Sequence, residues 1–198
     1  TIQYVHGHLL DVGCGEMPYR SYILPYVKDY EGLDYFPRSV DVKYQDDVQN
    51  MISVSDESYD SVICYEVLEH VPEPQKALSE IFRILKKDGI LVGSVPHLSR
   101  LHDLPNDYYR YTPNGISHLL EKSGFSVVCI NPKGGLFSFL GHQVSNLIVT
   151  AFWNIPIIRS VVFSINAWLV TRFCFWLDQK IDLGGVMALG YVFVAKKP

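Results

Sequence analysis

The sequence predicts an α/β fold, a mostly parallel sheet with helices on both faces. Three observations carry that expectation. Short apolar runs suited to strands alternate with helix-spaced segments along the chain. The first of these runs, Leu9-Leu10, leads into the glycine turn Asp11-Val12-Gly13-Cys14-Gly15. A second strand-like run reaches an acid, Asp34, about 20 residues further on, a spacing typical of nucleotide-binding strand–turn–helix units.

The elements follow in order. His8–Val12 reads as a strand, and Tyr19–Val27 as a short helix entered through Pro18, since proline suits a helix start. Tyr30–Tyr35 is a second strand and Asp41–Tyr44 a short third. Ser61–Tyr65 is apolar enough for a strand buried on both faces. Pro74–Lys87 places Leu78, Ile81, Phe82 and Leu85 at helical spacing, with Lys86 and Lys87 at the negative end of the helix dipole. Asp88-Gly89 turns the chain into a strand over Ile90–Val95. Thr112-Pro113 opens another helix, which Gly124 closes. Ser126–Ile130 and Tyr191–Ala195 are the last two strands. There is no internal repeat.

With 198 residues, 48% of them hydrophobic, the chain suits a single domain, residues 1–198, carrying an apolar helical insertion over 133–188. A net charge of −4 with no Lys/Arg cluster argues against binding to duplex nucleic acid. Cys14, Cys64, Cys129 and Cys174 are far apart and make no C-x-x-C pair, so a reduced, cytoplasmic protein without disulfide or metal is expected. The chain opens almost directly into its first strand, with no signal peptide, and a trimmed N-terminal helix is expected.

Gly134–Ile158 contains no Asp, Glu, Lys or Arg, and a second apolar run, Ser160–Thr171, follows Arg159. His142, Gln143, Asn146, Asn154 and Pro156 argue against a membrane span, because polar groups in hydrocarbon are costly. Two apolar helices are expected instead, as a lid, a homodimer face, or a peripheral membrane contact through 136–176.

A further stretch is Asp60-Ser-Val-Ile-Cys-Tyr-Glu-Val-Leu-Glu-His-Val71, a strand running into an acidic, His-containing turn. Ligands bind at such carboxyl edges in open α/β sheets. Together with Leu9–Gly15, Asp34, Asp47-Val48 and Arg83-Ile-Leu-Lys-Lys-Asp-Gly-Ile-Leu-Val92, it resembles the class I S-adenosylmethionine-dependent methyltransferases, especially the ubiquinone and menaquinone branch. The resemblance covers roughly residues 8–132 and the closing strand. It implies a Rossmann-like, seven-stranded fold and S-adenosyl-L-methionine as cofactor. By the same resemblance Gly13, Cys14 and Gly15 would meet the methionine part, which Asp11 would orient. Asp34 would bind the ribose hydroxyls and Tyr35 would lie beside the adenine. Asp47 and the Val48 amide would meet the adenine edge. The Tyr65 carbonyl would receive the ammonium, with Glu66 and His70 lining the same turn. The chain departs from the pattern at Met17, where the family often has a third glycine.

The loop Pro96-His-Leu-Ser-Arg-Leu-His-Asp-Leu-Pro-Asn-Asp-Tyr-Tyr-Arg-Tyr-Thr112 is the expected acceptor site, since loops held by a rigid sheet commonly carry substrate contacts. His97 or His102 has a suitable intrinsic pKa to deprotonate an oxygen acceptor, with Asp103 or Asp107 to orient it. Arg110 would hold an anionic substrate or pair with a loop acid. Tyr108, with Tyr109 and Tyr111, either lines the acceptor or packs the loop down. The expected function is methyl transfer to a small-molecule or lipid-linked acceptor. One alternative is an NAD-linked oxidoreductase, weakened because Gly13-x-Gly15-x-x-Pro18 lacks the third glycine of the dinucleotide fingerprint. The other is a non-catalytic, membrane-associated cofactor-binding protein.

Overall fold

The computed structural model describes residues 2–151, 170, 172–181 and 187–198. Seven strands form one sheet: β1 (His8–Val12), β2 (Asp29–Asp34), β3 (Tyr44–Gln45), β4 (Tyr59–Tyr65), β5 (Leu85–Pro96), β6 (Ser126–Lys133) and β7 (Gly190–Lys196). Their order is β3-β2-β1-β4-β5-β7-β6. The pairs β1–β2, β1–β4, β2–β3 and β4–β5 are parallel. Asp88 bonds to Lys197 at one end of β5 and His97 to Leu189 at the other, so β7 runs against β5. Between β1 and β4 the strand order reverses. The carboxyl ends of these two strands therefore flank the crevice where α/β sheets receive ligands.

Buried side chains explain the central strands. Leu9, Leu10 and Val12 of β1 and Val62, Ile63 and Cys64 of β4 are fully enclosed. Strands covered on both faces carry such unbroken apolar runs. Alongside β5 packs α2 (Pro74–Ile84), burying Ala77, Leu78, Ile81 and Ile84, and α3 (Pro113–Lys122), burying Ile116 and Leu120, packs against α2. The Thr112 hydroxyl accepts from the Gly115 amide and caps α3, as its sequence implies. The expected Tyr19–Val27 helix is a single turn, α1 (Arg20–Ile23), followed by a 3-10 turn over Leu24–Tyr26.

Several boundaries differ from expectation, two of them for reasons of strand pairing. The third strand is Tyr44–Gln45 rather than Asp41–Tyr44. The helix ends at Ile84, not Lys87, because Leu85 is already extended and pairs with Tyr59. Register slips between Tyr59 and Ser61, so the extra residues Lys86–Gly89 bulge out of the ladder. Lys86 thus answers a strand neighbour, Asp60, at 2.8 Å instead of the helix dipole.

The chain divides into two compact units. The first comprises Thr1–Pro96, Arg100–Asn131 and Tyr191–Pro198; the second comprises His97–Ser99 and Pro132–Gly190. The expected apolar insertion falls in the second unit. There α4 (Leu136–Ala151) and α5 (Arg172–Lys180) lie together, with Gly141 close against Cys174. The Asp178 carboxylate accepts from the amides of Gly135, Phe137 and Ser138, each at 2.9 Å, satisfying the open N-terminus of α4. Most of the Ser160–Thr171 run, with Asn154 and Pro156, lies outside the described residues. Among those described, no helix is long and apolar enough to cross a membrane.

Candidate functional site

The first half of the site is the turn after β1. Gly13 and Gly15 both have positive φ, +71° and +52°. A Cβ on Gly13 would lie 2.3 Å from Val67 Cγ2, whereas one on Gly15 would meet nothing within 4 Å. The backbone at Gly15 therefore borders open space, the condition for close approach of a ligand. The Gly15 amide donates to Asp34 Oδ2 at 2.8 Å and the Phe36 amide to Oδ1 at 2.9 Å, so the carboxylate at the tip of β2 is held by two backbone donors.

Met17 takes the glycine-like conformation itself, with φ +56°. Its side chain is buried, and Gly32 on β2 makes the room: a Cβ there would lie 2.2 Å from Met17 Cε. The missing glycine is answered by another one across the turn. Beneath it, Asp11 is 3% exposed and accepts a hydrogen bond from the Tyr30 hydroxyl. Burial pushes the Asp11 carboxyl up to about 7, the Tyr30 bond opposing that rise and Asp34 adding to it. Burial, then Asp11 and Asp34, pushes the Cys14 thiol up to about 12, which suits a packed turn residue and not a nucleophile.

Beyond β2, Tyr35 is 58% exposed, its ring set edge-on against Phe36. Asp46 is absorbed by its own loop, accepting from the amides of Asp47 and Ser53. Asp47 accepts from the Gln49 amide at 2.8 Å, and Val48 is buried.

The second half is the turn after β4. Tyr65 closes the strand, its ring edge-on to Tyr19. Glu66 follows with φ +54° and accepts from the Ser94 hydroxyl at 2.6 Å. A 3-10 turn, Leu68–His70, then carries Glu69, which is fully buried with no hydrogen bond to either carboxylate oxygen. Burial pushes the Glu69 carboxyl up to about 7, with Glu66 adding to the rise and His102 and Arg110 opposing it.

The loop over Arg100–Thr112 is fastened onto this turn. The Tyr108 amide donates to the Glu69 carbonyl, the Tyr109 hydroxyl to Pro72 and the Tyr111 hydroxyl to Leu68, all at 2.8 Å. His70 Nδ1 meets the Asn106 carbonyl at 2.6 Å, and His102 Nδ1 the Arg100 carbonyl at 3.2 Å. The two imidazoles face each other edge-on, Nε2 to Nε2 at 3.1 Å. Arg110 grips Asp107 at both oxygens, 2.5 and 2.8 Å, and holds that carboxyl far below the usual carboxylate range. Of the two expectations for Arg110, pairing with a loop acid is the contact formed. Asp103 is exposed with φ +50°. His97 belongs to the second unit, where its amide donates to the Leu189 carbonyl.

Sequence reasoning assigned no role to Glu69, Gly32, Tyr30 or Ser94. Gly32 carried a signal, since glycine inside a strand often marks close approach. Glu69 carried one too, as an acid between Leu68 and the apolar packing of Val71.

Residues 3–130 match the family model described as "Methyltransferase domain". A curated relative from Mycolicibacterium smegmatis, "Probable S-adenosylmethionine-dependent methyltransferase/", is 29% identical over 136 residues, covering 60% of this chain and 52% of its own. A "Ubiquinone biosynthesis O-methyltransferase" of Actinobacillus pleuropneumoniae is 29% identical over 103 residues, covering 43% of this chain and 44% of its own. The chain thus spans about half the length of these curated relatives. Among solved structures, the cyclase SpnF superposes with a TM-score of 0.65 at 17% identity, over 98% of this chain and 77% of its own. That likeness concerns the fold, which hosts more than one chemistry. On the family match, the chain belongs to the class I S-adenosylmethionine-dependent methyltransferases, whose cofactor is S-adenosyl-L-methionine.

Proposed function

We propose that the protein transfers a methyl group from S-adenosyl-L-methionine to an oxygen of a small-molecule acceptor bound beside the Arg100–Thr112 loop. The observation that carries this reading is the Asp34 carboxylate, fixed by the Gly15 and Phe36 amides next to an open glycine backbone. A carboxylate so placed accepts both hydroxyl protons of a ribose. Asp11, ionised, favours the cationic amino group of the methionine part, and the Tyr65 carbonyl accepts from it. Tyr35 flanks the adenine, Asp47 accepts from its amino group, and the Val48 amide meets a ring nitrogen.

The cofactor supplies an electrophilic methyl on a sulfonium, and S-adenosyl-L-homocysteine is the product. The chain has to align the acceptor oxygen and exclude water. Groups able to act on the acceptor proton gather at Glu69, His70 and His102. The Methyltransferase-domain match supports this reading over hydride transfer.

Calorimetric titration of folded protein with S-adenosylhomocysteine tests it. Binding is expected, and an Asp34→Ala variant should lose most of it. Stabilisation by NADH without any heat from S-adenosylhomocysteine would sink the assignment.

A lipid-linked acceptor is favoured by one feature of the second unit. Leu140, Val144 and Leu147 on α4 and Phe173, Phe175 and Trp176 on α5 are each about half exposed or more. Flotation with phosphatidylglycerol-containing vesicles checks it, and failure to float removes the lipid reading alone.

A further inference from the structure

The Glu69, His70 and His102 side chains offer three ligand atoms that all lie within 4.8 Å of one another. Both imidazoles turn Nδ1 toward a backbone carbonyl, Asn106 for His70 and Arg100 for His102. A carbonyl only accepts, so each Nδ1 is the protonated nitrogen and each Nε2 of the neutral ring carries a lone pair. The two Nε2 atoms lie 3.1 Å apart, with the rings set edge-on. Oε1 of the buried Glu69 lies 3.8 Å from one Nε2 and 3.9 Å from the other. Neither oxygen of that carboxylate has a hydrogen-bond partner. A fully buried carboxylate with no hydrogen-bond partner, beside two adjacent Nε2 atoms, calls for positive charge among them, either a proton on one ring or a bound cation.

From this geometry we propose that Glu69, His70 and His102 bind one divalent transition-metal ion of the zinc class. Metal–nitrogen bonds of about 2.0–2.1 Å put neighbouring ligand atoms roughly 3 Å apart, which the His70–His102 separation already meets. Glu69 closes the remainder by a shift of well under about 1 Å, within reach of a side-chain rotation. Two imidazoles and one carboxylate select zinc-like ions, while magnesium and calcium prefer sets made of oxygen. The carbonyls of Asn106 and Arg100 supply the outer contacts that orient ligating histidines. Arg110, the nearby cation, is already engaged by Asp107 at both oxygens. Three protein ligands leave a further coordination position, so the cluster would act on an acceptor hydroxyl through the ion, lowering its pKa, rather than as free imidazole.

Binding of the ion is independent of the methyl-transfer reading, and its test keeps the two apart. Full-length protein stripped with chelator is titrated with zinc chloride by calorimetry and with cobalt(II) by visible absorption. S-adenosylhomocysteine binding reports folding of each variant. One ion per chain is expected, with d–d bands on cobalt addition, both resistant to excess magnesium. His102→Ala and Glu69→Gln should each weaken zinc binding by about tenfold or more while leaving S-adenosylhomocysteine binding in place. His102→Asn replaces the alanine variant if that one fails to fold. The proposal is overturned if the wild-type protein takes up no ion, if magnesium displaces it readily, or if the folded variants bind zinc as the wild type does. In the last case the ion sits elsewhere, for instance at His6 or His8. A protein that binds zinc as expected but no S-adenosylhomocysteine would overturn the methyltransferase reading and leave the ion site standing.

Discussion

The two turns that meet at the strand-order reversal are built on opposite principles. After β1, charges near the turn are matched within the chain: Asp11 by Tyr30, Asp34 by two amides. After β4, Glu66 is matched by Ser94, but Glu69 one turn on is buried without a hydrogen bond and lies beside two adjacent imidazole Nε2 atoms. Satisfied polar groups rigidify a site and preorganise it for a ligand that slots in. Unsatisfied buried ones store a cost that a bound cation relieves. The first turn is therefore a preformed cradle, and the second depends on what binds there.

Substitutions can break this contrast, and the largest effect is expected at the preformed turn. Asp34→Ala removes the proposed acceptor for two ribose hydroxyls and should weaken S-adenosylhomocysteine about 100-fold by calorimetry, since hydrogen bonds to a charged group contribute roughly 1.5–3 kcal/mol. Zinc uptake should be unchanged, and loss of both together would mean that the two turns are one cooperative site.

Next in size is Gly13→Ala. It combines a positive φ with a Cβ 2.3 Å from Val67, and a stability loss of about 2 kcal/mol is expected in denaturant melts. Gly32→Ala should cost somewhat less, because the nearest atom its Cβ would meet is the flexible end of Met17, with Cys14 Sγ next at 2.7 Å. Combined with Met17→Gly, the loss should fall short of the sum of the two single variants, since the Met17 end is then gone and only the Cys14 contact remains. Strictly additive losses would refute the idea that these two residues share one space.

A subtler test uses pH. The Asp11 carboxyl, facing Tyr30, Asp34 and Cys14, is raised from 3.8 to about 7. In that window the folded state holds a proton that the unfolded state has lost. Stability of the ligand-free protein therefore falls as pH rises from about 4 to 7, and Asp11→Asn should flatten that slope. Affinity for S-adenosylhomocysteine should move the other way, rising through pH 7 as the charge proposed to meet its ammonium appears. Equal pH profiles in the wild type and the variant would remove Asp11 from the cradle.

The smallest change is expected from Ser94→Ala. It releases one hydrogen bond to Glu66 and should alter S-adenosylhomocysteine affinity only a few-fold, since a single such bond contributes about 1 kcal/mol. A larger loss would make the second turn as preorganised as the first.

Much of this was legible in the chain. Apolar runs and their spacing located six of the seven strands, all but the short third, because strand periodicity and helical periodicity are local properties of ten or so residues. The glycine turn, Asp34 and the Val-Leu-Glu-His-Val element lie within or beside those runs, so their place at the sheet's carboxyl edge followed directly. The end of α2 did not follow, since Lys86 and Lys87 suit a helix end locally and only strand pairing with Tyr59 pulls Leu85 into the sheet. What tertiary structure alone decided are the meetings of distant residues. Met17 over Gly32, Tyr30 on Asp11, and His102 against His70 and Glu69 are separated by 15 to more than 30 positions. No local pattern encodes such encounters, because they depend on how the sheet twists and how the loop folds back over it. The burial of Glu69 is of the same kind: its neighbours along the chain describe a turn, and only the loop packed upon it sets that acid beside two histidines.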